Sequence, residues 1–377
     1  MSSLPRPPAR RVVRDAALVA VAVVALALPL YVGGFWLQLG SFAFAAAVGA
    51  IGLAILFGRV GQLSLAHAFF LAVGAYGYIW LASPSGDDSW GLGLPSLLAL
   101  ALAAVLASLA GWAFSPIAAR LRGLYLGVAS LALVFLGQHI LFTAEPLTGG
   151  YNGRPVPTLA VGGVQLSGSQ PELVAFNVLI GRDERLWYLT LAVLVVAAVF
   201  AVAVLRGRVG RAFVAIRDAE VPAATLGVNL GRYRAMAFAL SSGYAGLAGA
   251  LLALLFQRVV PDYWGLLLSL QYLAMVVIGG SASIGGAILG ATFVSSLPIL
   301  LQRYGDAIPG VSTALGSGLG PAVVAQFCYG ALIIAVLVAE PRGLVALLGR
   351  IRRRRPGTPG ADRRAEPEPA LSMRSQQ

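Results

Sequence analysis

The chain of 377 residues contains no lysine, one cysteine, two histidines and few charges of either sign. Each shortage removes a class of function. All 27 basic residues are arginine, so a phosphate-binding loop of the form GxxxxGK[ST] is excluded, because its lysine is missing. If ATP drives this protein, another chain binds it. The lone Cys328 lies in an apolar segment and makes no disulfide within the chain. His67 and His139 lie far apart, with no HxxxH or CxxC spacing, so a metal site has no support. Charged residues make up 11% of the chain, against roughly 25% in a soluble domain. That leaves too little polar surface to face water.

What is present is apolar. Hydrophobic residues make up 58% of the chain, and the mean hydropathy is +0.83. Apolar runs of near-bilayer length lie at 16–33, 35–57, 62–82, 96–114, 121–142, 186–205, 235–256, 264–280, 284–301 and 321–339. The chain therefore reads as an all-α polytopic transmembrane helical bundle of about ten spans. The 264–301 region, split by "GGSASIGG", reads either as two spans or as a broken re-entrant pair. The N-terminus has no clear A-x-A cleavage site and a long apolar run, so it reads as a retained first helix.

The arginines set the orientation. With the N-terminus inside, the inner segments hold Arg6, Arg10, Arg11 and Arg14, then Arg59, then Arg120 and Arg122. The 206–234 loop adds six, and the stretch from Arg342 to Arg374 adds nine, making 22 in all. The outer segments hold five: Arg154, Arg182, Arg185, Arg258 and Arg303. This asymmetry predicts that both termini are cytoplasmic and that the number of spans is even. It also accounts for the net charge of +12 without nucleic acid. The resulting organisation is a basic cytoplasmic N-terminus at 1–15, a membrane domain at 16–350, and a Pro- and charge-rich cytoplasmic tail at 351–377 that reads as disordered. Within the membrane domain, an outer loop covers 143–185 and a cytoplasmic loop covers 206–234.

The inner loop carries "GRAFVAIRDAEVPAATLGVNLGRYR" from Gly210. It predicts a helix over Arg211–Asp218 and a second over Pro222–Leu226, started by Pro222 and stopped by Gly227. Phe213, Ile216 and Leu226 supply an apolar side, and Arg211, Arg217, Asp218 and Glu220 a charged one. Such a loop is either a solvated connector or a docking element that enters a groove on a soluble partner.

Polar residues inside apolar runs come next. In "GRVGQLSLAHAFFLAVGAYGYIWL" (Gly58–Leu81), Gln62, Ser64 and His67 open an apolar run, and Ser64 and His67 have the spacing to share a helix face. Gln138 and His139 lie near the outer end of the 121–142 run. Polar groups in a membrane are costly and point to a pathway, here through Gln62, Ser64, His67 and Gln138. The competing reading is that they sit at the interface and bond to backbone. "VIGGSASIGGAILGATFVSSLPILL" (Val277–Leu301) has small residues spaced for tight helix packing. All 15 Asp and Glu fall in loops, tails or span edges. That argues against a proton relay or an ion-coupled transporter.

Together these blocks resemble a known family. "GQLSLAHAFFLAVGAY", "RLRGLYLGVASLA", "TGGYNG", "GRAFVAIRDAEVPAATLGVNLGRYRAMAFALSSGYAGLAGAL", "VIGGSASIGGAILGA" and "YGALIIAVLVAEPRGLVALLGR" resemble the LivM-type permease subunits of ABC importers for branched-chain amino acids. They occur in the family's order and cover most of Gly58–Arg350. The resemblance implies a multi-pass protein of the bacterial inner membrane with no active site of its own. It implies two ATPase subunits that bind ATP and Mg, a second permease of the LivH kind, and an extracytoplasmic substrate-binding protein. It makes the 206–234 loop the element that docks on the ATPase. The family's E-A-A-x-x-x-G pattern appears with shifted spacing as "EVPAATLG", which carries the coupling role onto Glu220, Ala223, Ala224 and Gly227 beside Arg211, Arg217 and Asp218. Two other readings stand beside this one. The same machine could carry urea or short-chain amides, and a different class is a stand-alone secondary transporter or channel.

Overall fold

The computed structural model describes residues 23–84, then 91–304 apart from 122, 163, 169–172, 176–177 and 282, and finally 321–339. The basic N-terminus, residues 16–22 of the 16–33 run and the tail at 351–377 lie outside the described residues.

Each apolar run from residue 35 onward forms a helix. These are α1 (Gly34–Leu53), α2 (His67–Ala82), α3 (Ser96–Arg120), α4 (Leu124–Thr143), α5 (Arg182–Arg206), then after the loop helices α6 (Arg208–Asp218) and α7 (Glu220–Thr225), α8 (Leu230–Phe256), α9 (Leu266–Gly279), α10 (Ile284–Tyr304) and α11 (Pro321–Ala339). A π-turn, Ala54–Arg59, extends α1. Six helices among the described residues are long and apolar enough to cross a membrane.

The runs at 62–82 and 264–280 form shorter helices than the others. Helix α2 has 16 residues and α9 has 14. At about 1.5 Å per residue they are too short for a hydrocarbon core of about 30 Å. The 264–301 region is an antiparallel pair of helices joined by a turn at Gly280, whose φ is +108°. The outer loop is not bare coil. It carries three two-stranded antiparallel ribbons, one of which ties Arg154–Pro155 to Arg258–Val259.

Helices α1 and α8 form the centre. Their most apolar windows are 83% and 78% buried, against 22% for α5, which faces outward with α3 and α4. Lipid gives no hydrophobic force between helices, so close approach and dispersion hold the bundle. Gly74 of α2 and Gly246 of α8 let the two backbones touch, since a Cβ on Gly74 would collide with the Gly246 carbonyl. The first two turns of α10 pack on α9 in the same way, through Gly279, Gly286 and Gly290.

The arginine-rich segments gather at one end. Arg217 of α6 reaches Gly58, and Arg234 of α8 reaches Ala119. The opposite end collects the 154–155 and 258–259 ribbon, Tyr78 on Pro157, Asp183 beside Gly34, and Arg303 over Phe35. The segments that the arginine bias assigns to one side therefore lie together.

Candidate functional site

Two features stand out at the arginine-rich end and in the middle of the bundle. The first is the loop pair α6 and α7. Helix α6 starts at Arg208, three residues before the expected start, and α7 starts at Glu220, so Pro222 lies inside its first turn rather than at its start. The stop is as expected: Gly227 has φ +83°, a conformation that costs a residue with a Cβ roughly 1–2 kcal/mol. Asn229 then caps α8, its Oδ1 accepting from the Arg232 N–H at 3.0 Å.

The expected apolar side of the loop divides in two. Phe213 and Ile216 are buried against the end of the bundle, with Phe213 edge-on to Tyr233 at 6.5 Å. Leu226 points away and is 84% exposed, together with Val221 at 75%. The amphipathic stripe of α6 is thus spent on the chain's own core, and the free apolar groups lie on α7 and at the residue that ends it. Sequence reasoning missed Val221; its place in a polar loop beside Pro222 was the available signal.

The charged residues also divide. Arg211 is exposed. Arg217 bonds Asp218 through Nε at 3.0 Å and Nη2 at 2.9 Å, while its Nη1 donates to the Gly58 carbonyl at 2.8 Å. Glu220 is paired with Arg234, whose side chain is only 7% exposed. Arg234 also donates to Ala119 O at 3.4 Å. Glu220 is therefore half-buried and held to the bundle by this pair. Ala223 is buried, whereas Ala224 and Gly227 are exposed.

The second feature is a break between α1 and α2. Ser64 does not share a helix face with His67, because residues 61–65 are not helical. Serine hydroxyls take the place of helical acceptors there. Leu65 N–H donates to Ser130 Oγ at 2.8 Å, Ala66 N–H to Ser64 Oγ at 3.3 Å, and Ala68 N–H to Ser269 Oγ at 2.9 Å. The last bond joins the first turn of α2 to the first turn of α9. The His67 ring lies 4.6 Å from that of Tyr272.

Gln62, Ser64 and His67 are all buried in this knot, and Gln62 Oε1 and His67 Nε2 have no protein partner among the described residues. In this structure they are enclosed by packed helices. Gln138 is not part of the knot; it lies against Gly265, just before α9. Ser130, Ser269 and Tyr272 complete the junction and were not singled out from the sequence. Among the described residues no cluster of groups suits a metal ion.

The fold defines a multi-pass helical membrane protein with a surface loop helix bonded to its bundle. The chain belongs to the branched-chain amino acid transport system permease component family, which matches residues 35–337. It is 28% identical over 342 residues to the high-affinity branched-chain amino acid transport system permease protein LivM of Salmonella typhimurium, covering 88% of this chain and 74% of that one. The corresponding LivH protein of the same organism is 26% identical over 305 residues, covering 78% and 89%. BraD of Pseudomonas aeruginosa is 26% identical over 303 residues, covering 78% and 90%. No solved structure matches the chain.

Proposed function

We propose that this chain is a permease subunit of an ATP-driven importer for branched-chain amino acids in the bacterial inner membrane. It works beside a second, LivH-like permease, two ATPase subunits that carry ATP and Mg, and an extracytoplasmic binding protein. Both LivM and LivH relatives match it, which supports a machine with two permease chains. The observation that carries the reading is α7. Its exposed Val221 and Leu226 protrude from the arginine-rich end, while its base is held to the bundle by Arg234 and Glu220. A solvated connector has no reason to present two large apolar groups to water while pairing its carboxylate with an enclosed arginine of the bundle.

In this reading α7 enters a groove on the ATPase in the helix-in-groove manner. Closure of the two ATPases displaces α6 and α7. Arg217 passes that displacement to the π-turn through Gly58, and Arg234 passes it to the end of α3 through Ala119. The bundle then changes which end of its pathway is open. The test is co-purification of the chain with its ATPase subunits, followed by uptake of labelled leucine against labelled urea in reconstituted vesicles. Transport without any ATPase subunit sinks the reading in favour of a stand-alone carrier.

A further inference from the structure

A cleft of about 390 Å³ lies between α1, α8, α9 and α10, within the size range of small-molecule sites. Of the features above it shares only Tyr272. On α1, Gln38 and Phe42 are four residues apart and face it together. On α9 it takes Gln271, and on α10 Ser295 and Gln302. Three amides from three separate apolar helices thus converge on one space.

That convergence needs a cause. Gln271 is half-buried inside an apolar helix, where an amide is costly unless hydrogen-bonded, while Gln38 and Gln302 are exposed at the mouth of the cleft. Among the described residues, none of the three amides has a protein partner. No charged side chain lines the cleft among the described residues. A solute with net charge would be left uncompensated there, while a net-neutral one would not. Glutamine is suited to both halves of a zwitterion, because its NH₂ donates to a carboxylate and its carbonyl accepts from an ammonium. One wall is a chain of rings, Phe42 to Phe256 at 5.4 Å and Phe256 to Tyr263 at 4.8 Å. Their faces attract a cation and their edges shelter an aliphatic group. Its most exposed lining residues, Gln38, Gln302 and Tyr263, belong to the end that carries the outer loop. Its floor is Trp264 and Tyr272, and behind Tyr272 lies His67 at the junction of the half-helices.

We infer that this cleft receives the cargo, and that the cargo it takes is a small solute without net charge whose polar head is met by Gln38, Gln271 and Gln302. The inference rests on the permease reading and deepens it. Aliphatic α-amino acids and small neutral amides share this chemistry, and the experiment separates them.

The complete transporter, with its partner subunits, is reconstituted in vesicles. Gln271→Leu and Gln302→Leu are each expected to raise the half-saturating leucine concentration roughly tenfold, the effect of one lost hydrogen bond to a charged group. Co-purification of the ATPase subunits is expected to stay at the parent level. A second readout does not depend on transport. Gln271→Cys, in a Cys328→Ser background, is labelled from the outer side by an impermeant maleimide. Saturating leucine is expected to slow that labelling, with lysine and glutamate inert; slowing by urea in place of leucine assigns the cleft to neutral amides. Leucine-variant uptake equal to the parent, with labelling indifferent to leucine and to urea, overturns the inference. So does a cysteine that the complex shields at all times, because the cleft is then covered by the second permease. If the parent chain transports without any ATPase subunit, the importer reading fails separately, and the labelling result still decides the cleft.

Discussion

Arg217 Nη1 donates to the Gly58 carbonyl across 2.8 Å, and this bond joins the loop helix α6 to the π-turn that ends α1. A carbonyl in a π-turn is already displaced from the regular helical ladder, so it is free to accept from outside. Arg217→Ala is expected to leave ATPase binding intact and to raise the ATP hydrolysed per leucine imported several-fold. The local loss is about 1–2 kcal/mol. An unchanged ratio removes Arg217 from the transmission path.

Glu220 acts inside the chain. Replacing it with Arg sets two cations together where Arg234 is almost fully enclosed. Glu220→Arg is expected to destabilise the loop by roughly 2 kcal/mol, seen as faster amide exchange over 219–229 in the chain without its ATPases. If exchange is unchanged while ATPase binding is lost, Glu220 contacts the ATPase directly and the pairing with Arg234 is incidental.

Val221 and Leu226 test the docking face. Aspartate at either position places a charge where a groove expects an apolar group, but each side chain is free in the chain alone. Pull-down of the ATPase is expected to fall by tenfold or more, with thermal stability within about 0.5 kcal/mol of the parent. Full retention of binding by both variants makes the loop a connector.

Gly227 tests the geometry of the stop. Nothing lies near the Cβ position, so any penalty comes from the backbone at φ +83° alone. Gly227→Val is expected to cost more than about 1–2 kcal/mol, and Gly227→Asn less, because Asn tolerates this region. Equal effects of the two substitutions rule out backbone strain as the cause.

Orientation is open to labelling. Ala215→Cys in a Cys328→Ser background is expected to resist an impermeant reagent in intact cells, whereas Tyr151→Cys, on the exposed outer loop, is expected to react. The reverse pattern inverts the topology.

Much of this architecture was legible in the residues. Apolar runs gave the helices, because a bilayer leaves backbone groups no other partner. Arginine placement sorted the loops to their two ends, since the same bias acts on every short loop. The stop at Gly227 followed from glycine's conformational range. What the sequence hid were partnerships over long separations. Hydropathy places 62–66 inside a span, and only the hydroxyls of Ser130 and Ser269 show that this stretch is not helical. The Phe213 and Ile216 stripe marks an amphipathic helix without saying whether its apolar side meets another chain or its own bundle. Gln38, Gln271 and Gln302 lie on separate helices, and nothing in their local sequence brings them to one cleft.

The serine-held break has a mechanical consequence. In a continuous helix, bending means pulling apart a ladder of amide bonds that share one axis. Between Gly61 and Ala68 the backbone instead hangs from hydroxyls. A hydroxyl rotates about a single bond and carries both a donor and two acceptor positions, so it can release one amide and take another within a small swing. Resistance to motion is therefore lowest at the depth where α2 and α9 meet, between segments that are otherwise stiff rods. A push delivered at the arginine-rich end is therefore expected to bend the chain there, with the long helices around it moving as bodies.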